Sequence, residues 1–375
     1  MAPSVADLEQ KVQTGVTPNI ADLKAAVQAV VSAGIPGPNL SAEILPPLSY
    51  PHLAPIEGEN KISPPLQPFE HVDAASRADP KLPRLLNDKT KTHHLSPYLG
   101  TEISGVQISQ LSKQGLDELS LYTAQRKVLI FRDQDFADLP PERQIEIVGH
   151  YGPLHEHPTA PQLEGFDNFI ASLRQKGKKA YRAEYNVEDN LSYTLWHSDV
   201  SYERQPPATT FFWLLDQPEV GGDTLFLSQV EAYNRLSPEF RKRLETLRAI
   251  HSGVEQAEGS RKAGGVVRRE GITTEHPVVR VHPVTGEKAL FVNKGFTRSI
   301  VGFKKEESDA LLNFLYDHIA KGADFQVRAT YQKGTVVIWD NRIVAHSAVP
   351  DYGKEQRRHF LRLTPQGEVP IPASA

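Results

Sequence analysis

Residues 209–227 of this 375-residue chain read TTFFWLLDQPEVGGDTLFL. The segment holds two runs, 209–215 and 224–227, that are rich in β-branched and aromatic residues and have the length of strands. Similar runs recur at 127–131, 278–281, 289–292, 335–339 and 358–363. Because these predicted strands outnumber the predicted helices and do not alternate with them, the pattern favours a mainly β fold with peripheral helices around a double-stranded β-helix, or jelly-roll, core.

Helices are predicted around this core at 141–150, at 306–320, and from Pro238, behind the cap residue Ser237, to about residue 250. Two charged, glycine-containing stretches, 174–190 and 255–274, are interpreted either as mobile loops near a pocket mouth or as solvated surface insertions.

The N-terminal part of the chain has a different residue pattern. Residues 5–34 carry apolar residues at helical spacing, and residues 36–68 contain nine prolines. We therefore divide the chain into 1–90, an N-terminal helical segment and proline-rich arm, and 91–370, the jelly-roll domain that carries the chemistry. The arm is expected to lie on the surface of that domain.

The composition excludes several classes of protein. Lys plus Arg number 42 and Asp plus Glu 46, a net charge of −4, so no general attraction to nucleic acid or anionic lipid is expected. No apolar run is long enough to span a membrane and no secretory signal is visible, so a cytoplasmic location is the default. Cysteine is absent, and any metal must therefore be held by histidines and carboxylates.

The triplet HSD at 197–199 is the first candidate metal motif. On a strand, side chains two residues apart point to the same side, so its histidine and aspartate can share one ion. His346, which follows the predicted strand 335–339, can supply a third ligand. Non-haem Fe(II) oxygenases use such a set, and so can a catalytic zinc with a bound water. A second such triplet, HVD at 71–73, is dismissed because no strand is predicted around it.

The run RHFLR at 358–362 is the candidate anion site. Strand alternation puts Arg358, Phe360 and Arg362 on one face, with the two arginines about 13 Å apart. If that face lines the interior, two buried guanidiniums need anionic partners, which the strand itself does not offer. The pattern then predicts two bound anionic groups; the alternative is a solvent-exposed face.

Together these motifs resemble the taurine dioxygenase family of Fe(II)- and 2-oxoglutarate-dependent oxygenases, and within it the fungal sulfonate dioxygenases. The resemblance is carried by WHSDVSYERQPPATTFFWLLDQPEVGGDTLF at 196–226 and IWDNRIVAHSAVPDYGKEQRRHFLRL at 338–363. Shorter matches lie at 100–106, 126–134, 154–158 and 290–303. The similar region spans about residues 95–365.

The resemblance implies that His197, Asp199 and His346 ligate iron and that Thr224 and Arg358 bind 2-oxoglutarate. It also assigns substrate-binding roles to five positions, which are His157, Tyr193, Val200, Phe296 and Arg362. Tyr193 stands where the family has an Asn, and Ala160 stands where it has a pocket Tyr. These two departures indicate a pocket reshaped for a different anion.

The implied enzyme uses Fe(II), 2-oxoglutarate and O2 to oxidise a C–H bond of a small organic anion. An alkylsulfonate, which would yield sulfite and an aldehyde, is the first expectation. The same chemistry on an alkyl sulfate, an amino acid or a secondary-metabolite carboxylate stays open, with hydroxylation, desaturation or ring closure as the outcome. A zinc hydrolase and a non-catalytic jelly-roll binding protein are the alternatives of other classes. No nucleic-acid or membrane partner is expected, and a homo-oligomer is allowed.

Overall fold

The computed structural model describes residues 46–56, 62–174, 195–353 and 356–374. The predicted helical segment at 5–34, Tyr193 and nearly all of the predicted loop 174–190 lie outside the described residues. Pro47–Ala375 forms one compact unit, and the division of the chain at residue 90 stays a prediction. Among the described residues, no helix is long and apolar enough to cross a bilayer.

The protein is mainly β, as predicted. The described strands are β1 (Lys91–His94), β2 (Thr101–Ser104), β3 (Val128–Phe131), β4 (Ile170–Arg174), β5 (Thr209–Asp216), β6 (Thr224–Ser228), β7 (Arg248–Ser252), β8 (Thr273–Pro277), β9 (Val279–Val281), β10 (Lys288–Leu290), β11 (Thr297–Ile300), β12 (Gln326–Ala329), β13 (Val336–Asp340), β14 (Val344–Ala348), β15 (Arg358–Leu363) and β16 (Ile371–Pro372). All the predicted strands are present, and their ends differ from the prediction by at most two residues.

Seven strands form one sheet in the order β1-β2-β3-β13-β5-β15-β4, in which only the β2–β3 pair is parallel. Three smaller sheets have the orders β12-β6-β14, β11-β7-β8 and β10-β9-β16. One face of the large sheet packs on β12-β6-β14 through a cluster that includes Phe212, Trp339, Phe226 and Val344. Because β5 and β13 are covered on both faces, their sequences are nearly continuous apolar runs without alternation.

The described helices are α1 (Lys113–Arg126), α2 (Pro141–Gly149), α3 (Gln229–Asn234), α4 (Pro238–Glu245), α5 (Val254–Lys262) and α6 (Lys305–Lys321), with 3-10 turns at Pro51–Leu53, Ala74–Arg77, Ile108–Gln110, Phe136–Asp138 and Ala323–Phe325. The helices predicted at 141–150 and 306–320 are confirmed. Ser237 caps α4 as predicted, with its Oγ accepting from the Phe240 N–H at 3.4 Å. The prediction that α4 reaches residue 250 is wrong, because β7 begins at Arg248 and pairs with β8 and β11.

Three of the described helices, α1, α3 and α5, were not predicted. α1 buries polar side chains such as Asp117 and Glu118 beside Leu116 and Leu119, so its sequence shows no clean apolar stripe. α5 occupies the start of the stretch 255–274, for which only loop was predicted.

The described part of the proline-rich arm is not confined to the surface. Leu53, Leu82 and Leu85 are buried in the same core cluster as α1 and the large sheet. Glu118 of α1 fixes this part of the arm, because its Oε2 accepts the backbone N–H groups of Arg84 and Leu85 at 2.8 and 2.9 Å. The arm therefore supplies part of the core.

Leu85→Ala should lower the free energy of unfolding by about 2–5 kcal/mol, because the truncation leaves a cavity at a fully buried position. Ile62→Ala is the control within the arm, since Ile62 is 84% exposed, and it should change the free energy by less than about 0.5 kcal/mol. Urea denaturation followed by tryptophan fluorescence measures both. Equal, small effects would show that the arm does not contribute to the core.

Candidate active site

The predicted metal ligands converge where β14 meets the segment before β5. His346 lies on β14 and His197 faces it in an antiparallel bridge, in which the two residues exchange N–H···O=C hydrogen bonds of 3.1 and 2.9 Å. Asp199 Oδ1 lies 3.8 Å from His197 Nε2 and 3.7 Å from His346 Nε2. One ligand atom from each residue lies within 4.8 Å of the others, so a single ion can contact all three.

The expectation that residues 197–199 form a regular strand is wrong. Only His197 takes part in a bridge, and the chain turns at Asp199 and Val200. Val200 has a φ of 37°, which is strained for a β-branched residue. The turn, and not strand alternation, directs Asp199 toward the histidines.

The protonation states of the three side chains suit a divalent metal. His197 Nδ1 donates to the Leu195 carbonyl at 2.7 Å, which leaves the Nε2 lone pair for a metal. Burial, followed by the charge of His197, lowers the pKa of His346 to about 3, so its imidazole is neutral at pH 7. Burial alone would raise the pKa of Asp199, but Arg362 and the two histidines hold it well below its usual range. A neutral imidazole at His346 and an ionised carboxylate at Asp199 fit non-haem iron.

Asp199 is held from three directions. Arg362 Nη1 donates to its Oδ1 at 2.7 Å and Thr210 Oγ1 donates to its Oδ2 at 3.3 Å. Asn341 holds the main chain: its Oδ1 accepts the Asp199 N–H at 2.7 Å and its Nδ2 donates to the Asp199 carbonyl at 3.2 Å. The sequence offered no protein anion for Arg362, whereas the structure gives it one, so its charge is shared with a metal ligand.

The predicted phasing of residues 358–362 is confirmed. Arg358, Phe360 and Arg362 line one cavity of about 330 Å³, and the metal-ligand candidates line the same cavity. Arg357 points away from the cavity, since its Nη1 donates to the Pro47 carbonyl at 3.0 Å. The solvent-exposed alternative for this face is therefore wrong.

Arg358 is a buried cation surrounded mainly by aromatic rings. Its guanidinium lies over Phe360, Phe212 and Tyr331, with distances to the ring centres of 5.1, 5.4 and 5.9 Å. Its Nε donates to the Gly222 carbonyl at 3.0 Å, and no described carboxylate forms an ion pair with it. A buried guanidinium without a protein anion is typical of an anion-binding site.

Thr224 lines the cavity near Arg358, and Gly222 packs against that arginine. The Thr224 hydroxyl lies 2.7 Å from that of Tyr331. Gly222 has a φ of 71°, and a Cβ there would lie 3.3 Å from Arg358 Cδ and Nε, so glycine permits the close approach. Thr224 was predicted from the sequence, but Tyr331 was not. In the sequence Tyr331 is only a single aromatic residue soon after β12.

The described positions predicted to bind substrate line the other end of the cavity, together with Ala160. They are His157, Val200, Phe296 and Arg362. His157 Nδ1 accepts the N–H groups of Thr159 and Ala160 at 3.1 and 2.9 Å, so its proton lies on Nε2. This end therefore combines two polar donors with apolar walls.

Arg268 supports the turn at 157–160 through main-chain atoms. Its Nη1 donates to the carbonyls of Ala160 at 2.6 Å and His157 at 3.5 Å, and its N–H donates to the Pro158 carbonyl at 2.7 Å. The sequence did not identify Arg268, because it lies in the charged stretch 255–274, more than a hundred residues from the turn it supports.

The cavity mouth is lined by Glu255, Gln256 and Arg298. Arg298 Nε donates to Glu255 Oε1 at 2.7 Å, which ties the start of α5 to the loop that carries Phe296. The stretch 255–274 was interpreted either as a mobile loop near a pocket mouth or as a surface insertion; its first residues line the cavity but belong to helix α5 and not to a loop.

Comparison with known proteins agrees with this geometry. Residues 91–364 match the family described as "Taurine catabolism dioxygenase TauD, TfdA family". The alpha-ketoglutarate-dependent dioxygenase cnsP of Penicillium expansum is 50% identical over 309 residues, which cover 81% of this chain and 83% of that protein. The alpha-ketoglutarate-dependent sulfonate dioxygenase of Saccharomyces cerevisiae is 42% identical over 326 residues, covering 86% and 79%. A taurine dioxygenase structure from Burkholderia xenovorans aligns with a TM-score of 0.62 and 28% identity over 76% of this chain and 93% of that one.

Alpha-ketoglutarate is another name for 2-oxoglutarate, the dicarboxylate that the buried Arg358 was predicted to bind. The family match covers both the metal-ligand candidates and the arginine strand. The chain therefore belongs to the TauD/TfdA family and is a 2-oxoglutarate-dependent dioxygenase.

Proposed function

We propose that this dioxygenase uses Fe(II) to oxidise a C–H bond of a small organic anion, foremost an alkylsulfonate. One observation carries the proposal: a single cavity joins two histidines and a carboxylate with a buried guanidinium that forms no ion pair with any carboxylate in the described part of the chain. The first group suits iron and the second suits a dicarboxylate cosubstrate. A zinc hydrolase would need only the first group, and membership of a dioxygenase family also disfavours it.

His197, Asp199 and His346 hold the iron in this proposal. When bound, the iron supplies the activation of O2 that is coupled to the decarboxylation of 2-oxoglutarate to succinate. Arg358 pairs in bidentate fashion with the far carboxylate of 2-oxoglutarate, and Thr224 adds a hydroxyl hydrogen bond. The aromatic rings around Arg358 exclude water from this ion pair, which strengthens it.

Arg362 and the Nε2–H of His157 bind the anionic group of the substrate, while Val200 and Phe296 pack against its carbon chain. Tyr193 is proposed to complete this end. Hydroxylation at the carbon that bears sulfur places one oxygen atom of O2 on the substrate and the other in succinate. The C–S bond of the hydroxylated product then breaks, sulfite leaves with the bonding electron pair, and the hydroxyl loses its proton to give an aldehyde.

We also propose that the two facing sheets, the seven-stranded sheet and β12-β6-β14, form a double-stranded β-helix. Support comes from the cluster of apolar side chains between them and from the position of the site, whose ligands and arginines all project into the space that the two sheets enclose.

A panel of substrates tests the proposal. The planar fork of Arg362 suits a sulfonate, a sulfate or a carboxylate equally well. Alkylsulfonates, alkyl sulfates and amino acids should therefore be incubated with the enzyme, Fe(II) and 2-oxoglutarate, and succinate and sulfite measured for each. We expect sulfite from alkylsulfonates and little turnover of taurine, since Tyr193 and Ala160 replace the residues that the family uses for it. Succinate without sulfite on every sulfonate, or activity that survives His346→Ala, would overturn the proposal.

Arg358→Ala should raise the KM for 2-oxoglutarate by a factor of roughly 30 to 1,000, because a buried charge-assisted pair contributes about 2–4 kcal/mol. Arg357→Ala is the matched control: it removes the neighbouring guanidinium, which points away from the cavity, and should leave the KM nearly unchanged. Succinate formation at varied 2-oxoglutarate concentration gives both values. A larger effect at Arg357 would contradict the assignment.

Arg362→Ala should uncouple the reaction, so that 2-oxoglutarate is consumed slowly while substrate oxidation collapses. Because Arg362 also bonds Asp199, Thr210→Val serves as the control: it removes the other side-chain hydrogen bond to that carboxylate but no substrate contact. The ratio of succinate to oxidised product should rise only in the arginine variant. The same ratio in both variants would mean that Arg362 acts through Asp199 and does not bind substrate.

A further inference from the structure

A group of buried charged side chains lies behind the metal-ligand candidates. Arg342, which is 2% exposed, donates from Nε and Nη2 to both oxygens of Asp340, at 2.9 and 2.6 Å. Its Nη1 donates to Asp73 and, at 3.3 Å, to Glu368. His282 Nε2 bonds the same Asp340 carboxylate at 2.9 Å. We call Asp73, His282, Asp340, Arg342 and Glu368 the ion cluster.

The ion cluster fixes the conformation of the turn between β13 and β14. Asp340 and Arg342 flank Asn341, and the Arg342 N–H also donates to Asp340 Oδ1 at 3.0 Å. The main chain of Asn341 is therefore held between two side chains that are fixed inside the cluster, and its own side chain is held by hydrogen bonds. It forms the two hydrogen bonds to the main chain of Asp199 and donates a third to the Pro207 carbonyl at 3.0 Å. The cluster is thus one residue away from the contact that places a metal ligand.

Two members of the ion cluster come from outside the region that the family match covers. Asp73 precedes residue 91 and Glu368 follows residue 364. Asp73 belongs to the second triplet, 71–73; the residue is 9% exposed and its carboxylate pairs with Arg342. Asp340 pairs with Nε and Nη2 of Arg342, and the arm and the C-terminal segment supply the carboxylates that accept from its remaining nitrogen, Nη1.

We propose that Asn341 is a positioning residue for the metal carboxylate, and that Asp73 and Glu368 set metal affinity through it. The proposal rests on the metal centre assigned above. Removing the charge of Asp73 or Glu368 takes away one of the three carboxylates that hold Arg342, which loosens the turn and lets Asn341 release Asp199. The ligand atoms then spend less time at a separation that suits one ion, so the metal binds less tightly.

Metal affinity can be measured without turnover. Mn(II) is titrated into the full-length protein in the absence of 2-oxoglutarate, and free Mn(II) is followed by electron paramagnetic resonance. Asp73→Asn keeps the shape of the side chain and its ability to cap the 3-10 turn at Ala74–Arg77, but removes the charge. Asp117→Asn is the matched control, since Asp117 is also a buried carboxylate that ties the arm to the body, through Arg77, and has no contact with the ion cluster.

We expect Asn341→Ala to weaken Mn(II) binding by about 10–100-fold, the range typical of groups that orient metal ligands. Asp73→Asn should weaken it by at least about threefold, and Asp117→Asn should leave it unchanged. Circular dichroism establishes that each variant is folded, and Glu368→Gln replaces Asp73→Asn if that variant does not fold.

Equal Mn(II) affinity in the Asp73 and Asp117 variants would overturn the proposal, and so would failure of both Asp73→Asn and Glu368→Gln to fold, because the cluster would then hold the fold and not the metal. Unaltered protein that binds no Mn(II), or binds it equally after His346→Ala, would instead refute the metal centre itself.

Discussion

The antiparallel bridge between His197 and His346 sets the geometry on which the rest of the site depends. Because the two residues exchange main-chain hydrogen bonds, the spacing of their imidazoles follows from backbone register and not from side-chain packing. The strand that carries His346 is in turn paired with β6, where Thr224 lies opposite Ala348. One pairing register therefore fixes the positions of His346 and Thr224, a proposed metal ligand and the proposed cosubstrate threonine, relative to each other, and a slip by one residue would reverse every side chain on the strand.

The parts of the site that the sequence predicted are those defined by local rules. Strand alternation was enough to put Arg358 and Arg362 on the cavity face and Arg357 on the other. The apolar runs predicted β5 and β13, because a strand that is buried on both faces is apolar at nearly every position. Residue types at short spacing likewise indicated His197 and Asp199 as candidate metal ligands, although the local backbone is a turn and not the strand that was expected. His346, far away in the sequence, was assigned through the family resemblance.

The parts that could not be predicted depend on partners that are distant in the sequence. Asp73 and Arg342 are separated by 269 positions, and nothing in either segment indicates the other. Arg362 was expected to have a bound anion as its partner. In the structure it pairs with Asp199, which lies 163 positions earlier in the sequence. α1 was not predicted for a related reason. Polar side chains such as Glu118 are buried against a distant segment, so the buried face of the helix is not a continuous apolar stripe.

The support of the turn at 157–160 by Arg268 has an evolutionary consequence. Since the hydrogen bonds that Arg268 donates to this turn all go to main-chain carbonyl groups, the side chains at positions 158–160 can be exchanged without loss of that support. Mutations at Ala160 can therefore alter the shape of the pocket while His157 and the iron-proximal residues keep their places. The pocket wall can thus change while the residues around the metal site keep their positions, so one fold can accept different substrates. Ala160 is therefore a natural first position to vary in a library aimed at altered substrate scope.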